Sequence, residues 1–220
     1  MGFNMVNGFI ILFGLTMLYL AVTSRLMGHV RVLILQGILL FLICATGFSH
    51  YPLITILFLT IETLLVKAIL VPMFLVKVLK KTHSNRDTDA NIAHFYCLLI
   101  SSILLFGGFL VSVIKIPSLS MINPLGFGIA LAVITISLWL ITIKHKILSN
   151  VIEFITMENG IFLLSLSVAK EMPMLVNIGV LLDVFIAIYI LGLFVSQINK
   201  ELGDMEVAHL SDLKDCEYND

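Results

Sequence analysis

The chain has 220 residues, of which 60% are hydrophobic and 27 are charged (13 Lys and Arg, 14 Asp and Glu), with a mean hydropathy of +1.10. A soluble domain carries roughly a quarter charged residues, so this is the composition of an integral membrane protein, with apolar residues for roughly six or seven spans of about 20 residues each. The net charge of −1 leaves no basic footprint for nucleic acid.

Hydropathy and breaker residues divide the chain into seven predicted helices: Asn4–Val22, Val32–Phe48, Leu53–Val76, Ile92–Ile114, Leu125–Ile143, Ile147–Ala169 and Met174–Ile198. No Lys or Arg precedes the first apolar run, so a cleaved secretory signal is not expected there and the first helix is expected to be retained. The connections are short and polar or proline-marked: Thr23–Arg31, Ser49–Pro52, Lys77–Asn91, Lys115–Pro124, Lys144–Lys146 and Lys170–Pro173. Loops one, three and five and the tail hold Arg25, Arg31, Lys77, Lys80, Lys81, Arg86, Lys144, Lys146, Lys200 and Lys214, against only Lys115 and Lys170 on the other side. Cations accumulate in untranslocated loops, which places the N-terminus outside and the C-terminus in the cytoplasm. The expected fold is therefore an all-α polytopic membrane bundle in the cell inner (cytoplasmic) membrane.

Cofactor chemistry finds little to work with. Cys44, Cys97 and Cys216 are far apart without a CxxC, and His29, His50, His83, His94, His145 and His209 fall at span ends, loops and the tail. No cofactor, metal site or catalytic centre is expected in this chain, and no phosphate loop or nucleophile motif is present.

The chemistry lies in charges that insertion should have excluded, each costing on the order of 2.5–3.5 kcal/mol at a helix centre. Glu62, Glu158 and Asp183 sit near the middle of spans three, six and seven, and Lys67 and Glu153 lie five residues from the central acid of their own helix. At about 100° per residue, five residues turn two side chains ~140° apart, so Glu62 and Lys67 face different neighbours, as do Glu153 and Glu158. That spacing argues against intrahelical pairs and for a lateral line of charge across several helices, as proton or ion relay requires. A low-dielectric bundle disfavours the carboxylate and a nearby ammonium restores it, so moving one cation switches a proton on or off its neighbour. The competing reading is static pairing that holds the helices in register. Asn159 and Asn177 are hydrogen-bonding partners for these acids or simple helix glue. Pro72 leaves the Ala68 carbonyl, one turn from Lys67, without its usual donor. Gly107-Gly108 and Gly126-x-Gly128 permit close helix approach.

The stretch from Asn150 to Leu163, containing Met157-Glu158-Asn159-Gly160-Ile161, followed by Pro173 and Ile178-Gly179-Val180-Leu181-Leu182-Asp183, resembles the component E family of hydrogenase-4 and formate hydrogenlyase complexes. The segment Thr63–Pro72, with its Lys and Pro, is similar to that family's third span. Residues from about 125 to 198 further resemble the three-helix K-type subunit of complex I and the C-type subunit of Mrp antiporters. Glu158 matches the first acid position of those subunits and Asp183 the second, with Asp where complex I usually has Glu. The resemblance implies three parts: a four-helix membrane part (1–124), a K-type or C-type part (125–198) and an acidic cytoplasmic tail (199–220). It implies a non-redox membrane subunit of a hydrogenase-like or complex-I-like assembly. Its partners would be large antiporter-like membrane subunits and the membrane anchor of the redox module. Glu158 and Asp183 would be relay acids, with Lys67, Glu62 and Glu153 as links.

The tail holds half of all the acids: Glu201, Asp204, Glu206, Asp212, Asp215, Glu217 and Asp220. Leu202, Met205, His209 and Leu213 recur at helical spacing, which suggests a face that docks on a soluble or neighbouring subunit, against the alternative of a solvated terminus. Two other functions compete with relay. One is a structural spacer between antiporter-like subunits. The other is an independent secondary transporter, disfavoured because inverted repeats with paired broken helices are not recognisable.

Overall fold

Loss of water forces every backbone group in an apolar chain to bond within its own segment, and the residues described here do so as helices. The computed structural model describes residues 2–47, 60–61, 63–82, 94–114, 123–144 and 146–168. Glu62, Asp183, the predicted span Met174–Ile198 and the tail lie outside them. The helices are α1 (Gly2–Val22), α2 (Leu26–Gly47), α3 (Thr63–Leu70), α4 (Val71–Thr82), α5 (His94–Val113), α6 (Pro124–Ile143) and α7 (Ile147–Val168). Of these, α1, α2, α5, α6 and α7 are long and apolar enough to cross a membrane.

Beyond shifts of a residue or two, two span ends and the winding of one helix differ from the sequence reading, each for a physical reason. Helix α2 begins at Leu26, not Val32, so Thr23–Arg31 is mostly helix. The polar residues His29 and Arg31 read as loop, yet Leu26, Val30 and Leu33 bury one face of that first stretch. The third span continues past Val76 to Thr82, so Lys77, Lys80 and Lys81 ride on the end of α4 instead of a loop. Its earlier part, α3, is wound as a π-helix. Pro72 cannot donate to residue 68 and its ring crowds that carbonyl, and the wider i→i+5 winding ends at Leu70, two residues before it. The 100° period assumed between Glu62 and Lys67 therefore does not hold across Thr63–Leu70.

Helix α6 has a well-defined start. Asn123 caps it by accepting from the Leu125 and Gly126 amides at 3.1 and 3.2 Å, and Pro124 occupies the first turn, where its missing N–H costs nothing. The Asn123 side chain also donates to Asn7 Oδ1 at 3.1 Å, tying the start of α6 to α1.

Helix α6 lies between α5 and α7, while α2 touches α1, α3, α4 and α7. The α5–α6 seam uses the predicted glycines. A Cβ on Gly108 would strike the Gly128 carbonyl, and one on Gly128 the Gly108 carbonyl, whereas Gly107 faces open space. Small residues at such a seam let backbones touch, which lipid-phase packing favours. The larger apolar cluster, centred on Phe13, Met17, Ile136, Leu140 and Phe162, joins α1, α2, α6 and α7. A second, formed by Leu26, Val30 and Leu33 with Val71, Leu75, Leu79, Leu148 and Ile152, joins α2, α4 and α7. That second cluster brings the α1–α2 turn, the end of α4 and the α6–α7 turn to one end of the bundle. This is the grouping the loop cations suggested.

Candidate functional site

Helix α7 is the polar spine of the molecule. It buries Glu153, Thr156, Glu158 and Asn159 against its neighbours. Glu153 and Glu158, five residues apart on regular α-helix, take partners from different elements, as the ~140° offset requires.

The first cluster sits near the start of α7. Lys144 Nζ donates to Glu153 Oε1 at 2.6 Å and lies 2.7 Å from His29 Nε2. His29 Nε2 is 3.7 Å from the same carboxylate oxygen, and both side chains are 0% exposed. The backbone places Lys144 there. It ends α6 in an extended conformation, with its amide bonded to the Leu140 carbonyl, so its side chain is released from the helix beside the first turns of α7. On the other side of the ring, His29 Nδ1 lies 3.0 Å from the Arg25 carbonyl. A carbonyl only accepts, so Nδ1 carries the hydrogen, and Nε2 of the neutral ring presents its lone pair to the Lys144 ammonium.

The second cluster lies about 7.5 Å further along α7, at 1.5 Å per residue. Lys67, from the π-helical α3, donates to Asn159 Oδ1 at 3.1 Å and stands 3.9 Å from Glu158 Oε1. Its ammonium also lies 4.9 Å from the centre of the Phe162 ring, within cation–π range. From Asn159 the hydrogen bonds run on across the bundle. Asn159 Nδ2 donates to Gln36 Oε1 at 3.2 Å, Gln36 Nε2 donates to Thr16 Oγ1 at 2.9 Å, and Thr16 donates to the Phe13 carbonyl at 2.6 Å. An ammonium has no acceptor, so Lys67 dictates which end of Asn159 faces it, and that choice orients each amide down to α1. Helix α2 comes close enough to take part because Gly37 has no side chain. A Cβ there would sit 2.9 Å from the Ala68 Cα.

Of the five residues singled out from the sequence, three are described, and all three are buried: Lys67, Glu153 and Glu158. Lys67 and Glu158 come together, whereas Glu153 takes other partners. His29, Lys144, Gln36 and Thr16 were not singled out. The sequence places Lys144 in a loop, yet it is 8% exposed and paired with Glu153. One signal was present in the sequence: His29 and Gln36 are seven residues apart, two turns on one face of a helix. Among the described residues, no group of three or more His, Cys, Asp and Glu converges as a metal site.

Membrane-length apolar helices enclosing paired charges define a polytopic membrane protein of the all-helical class. Among curated proteins, the chain is similar to hydrogenase-4 component E of Escherichia coli K12. The two are 26% identical over 186 residues, covering 81% of this chain and 83% of that protein. Hydrogenase-4 component E of Shigella flexneri matches to the same extent. An uncharacterized protein of Mycobacterium tuberculosis is 28% identical over 86 residues, 39% of each chain. This homology supports the resemblance to the component E family. No protein-family model and no solved structure matches the chain.

Proposed function

We propose that this chain is an integral membrane subunit of a hydrogenase-type or complex-I-like respiratory assembly. In this reading it contributes intramembrane acids to proton, or sodium, translocation coupled to electron transfer in other subunits. One observation carries the reading. Two buried acids on one helix each face a cation from a different element, Glu153 with Lys144 and Glu158 with Lys67. A carboxylate beside a movable ammonium is a group whose proton affinity can be switched, and two such pairs at successive depths make a path. The homology to a hydrogenase-4 component supplies the kind of assembly.

In the full proposal seven helices cross the cytoplasmic membrane, with the N-terminus outside and the C-terminus inside. Residues 125–198 act as the K-type or C-type part, Asp183 is a further relay acid, and Glu62 a link to it. Large antiporter-like subunits and the anchor of the redox module flank the chain, and the acidic tail docks on a neighbouring or soluble subunit. The test is substitution in the assembled complex. Glu158→Gln and Asp183→Asn should each abolish the coupled ion gradient without loss of the subunit from the complex. A gradient and turnover equal to wild type would leave only the structural-spacer reading. Repeating the wild-type measurement in sodium-free medium separates H⁺ from Na⁺. Deleting residues 201–220 should weaken assembly on native gels, and an intact complex would remove the docking role.

A further inference from the structure

The relay reading pairs Lys144 with Glu153 but gives no role to His29, whose Nε2 lies 2.7 Å from that ammonium and 3.7 Å from that carboxylate. We propose that His29, Lys144 and Glu153 form a proton-loading port, through which protons pass between the loop end of the bundle and the Lys67–Glu158 pair. The port rests on the relay reading above and assigns it an entrance.

Position, charge and geometry carry the inference. His29 lies in the first turn of α2, near the loop end, and its Nδ1–H on the carbonyl of exposed Arg25 fixes the ring with Nε2 turned to Lys144 and Glu153, so Nε2 is the atom that can take a proton once Lys144 moves off. With Lys144 as ammonium, His29 neutral and Glu153 as carboxylate, the site has no net charge, which suits a buried cluster. Cys97 of α5, itself buried, lies near enough to Lys144 to feel its charge. In this arrangement the ammonium fills the His29 Nε2 lone pair and the port is shut.

Opening requires Lys144 to swing away from both His29 Nε2 and Glu153 Oε1. A hydronium ion then gives up one proton, breaking its O–H bond and forming N–H at Nε2, with water as the other product. The imidazolium next faces Glu153 Oε1 across 3.7 Å. The Nε2–H bond breaks and an O–H bond forms on the carboxylate. His29 is then neutral again in its original tautomer, and Lys144 can return. One proton has entered as Glu153–COOH, a turn and a half from Glu158 on the same helix, with Thr156 buried between them. Run backwards, the same steps release a proton.

His29→Gln is the informative variant. Its amide oxygen and nitrogen can take over both hydrogen bonds of the ring, but it cannot carry the proton. Proton uptake is read with a pH dye in vesicles holding the whole complex, driven by dithionite-reduced methyl viologen, and the amount of complex is read on native gels. The expected result is at least a tenfold slower uptake than wild type at equal complex content. Glu158→Gln is run in parallel. If His29→Gln takes up protons at the wild-type rate while Glu158→Gln does not, the port is overturned and the relay stands. If Glu158→Gln matches wild type, the relay itself falls. Should His29→Gln not assemble, the ¹⁵N spectrum of the histidine-labelled wild-type chain in lipid nanodiscs decides. An Nδ1–H tautomer whose Nε2 resonance moves on Lys144→Arg supports the port, and an Nε2–H tautomer overturns it.

Discussion

The two acids of α7 are held in different ways. Glu153 is gripped at contact distance by Lys144, which is nine residues away in sequence and released from the end of α6 next door. Glu158 is held at 3.9 Å by Lys67, which is more than 90 residues away and donates a hydrogen bond to Asn159. The first pair is a clamp and the second a poised neighbour. A carboxylate at contact distance from an ammonium is fixed in its charged form. One kept at the edge of ion-pair range by an amide can gain or lose a proton with little rearrangement. In the proposed relay, this difference suits Glu153 to gated entry and Glu158 to passing the proton on.

This contrast can be broken by substitution, with stability read as unfolding of the chain in mixed micelles of rising SDS content. Lys144→Met strands Glu153 and should cost most, about 3–5 kcal/mol. Lys67→Met should cost less, near the lower end at about 3 kcal/mol, because its ion pair is longer. Equal losses for the two would erase the distinction between clamp and poised pair. Gly37→Ala drives a methyl against the Ala68 backbone, which has no flexible end to give way. It should cost about 1–3 kcal/mol and, by pushing α3 away, lengthen the Lys67–Asn159 contact. Gln36→Leu removes the middle of the amide chain at about 1–2 kcal/mol, the smallest effect. It should still raise the mobility of the Lys67 ammonium as seen by ¹⁵N NMR.

Hydropathy made most of the bundle legible. The spans Leu125–Ile143 and Ile147–Ala169 match α6 and α7 to within a residue, because a long apolar run bounded by Asn-Pro or Lys-His-Lys has few alternatives. Burial of Glu153, Glu158 and Lys67 was legible from depth alone. Their partners were not. His29 and Lys144 sit where hydropathy falls, and a one-dimensional profile cannot tell a polar residue at a helix end that faces water from one that folds back onto a buried acid. The π winding of α3 was hidden for another reason. Pro72 signals that a regular helix must adjust, and a one-dimensional pattern does not distinguish a kink from a widened turn.

The central claim is that Glu158 changes its protonation state as the complex works. Redox-triggered infrared difference spectroscopy of the assembled complex reads this directly through the carboxylic C=O stretch. A carboxyl band that appears or vanishes with the redox step and is lost in Glu158→Gln is the predicted result. A difference spectrum in which wild type and Glu158→Gln have identical carboxyl regions would contradict it.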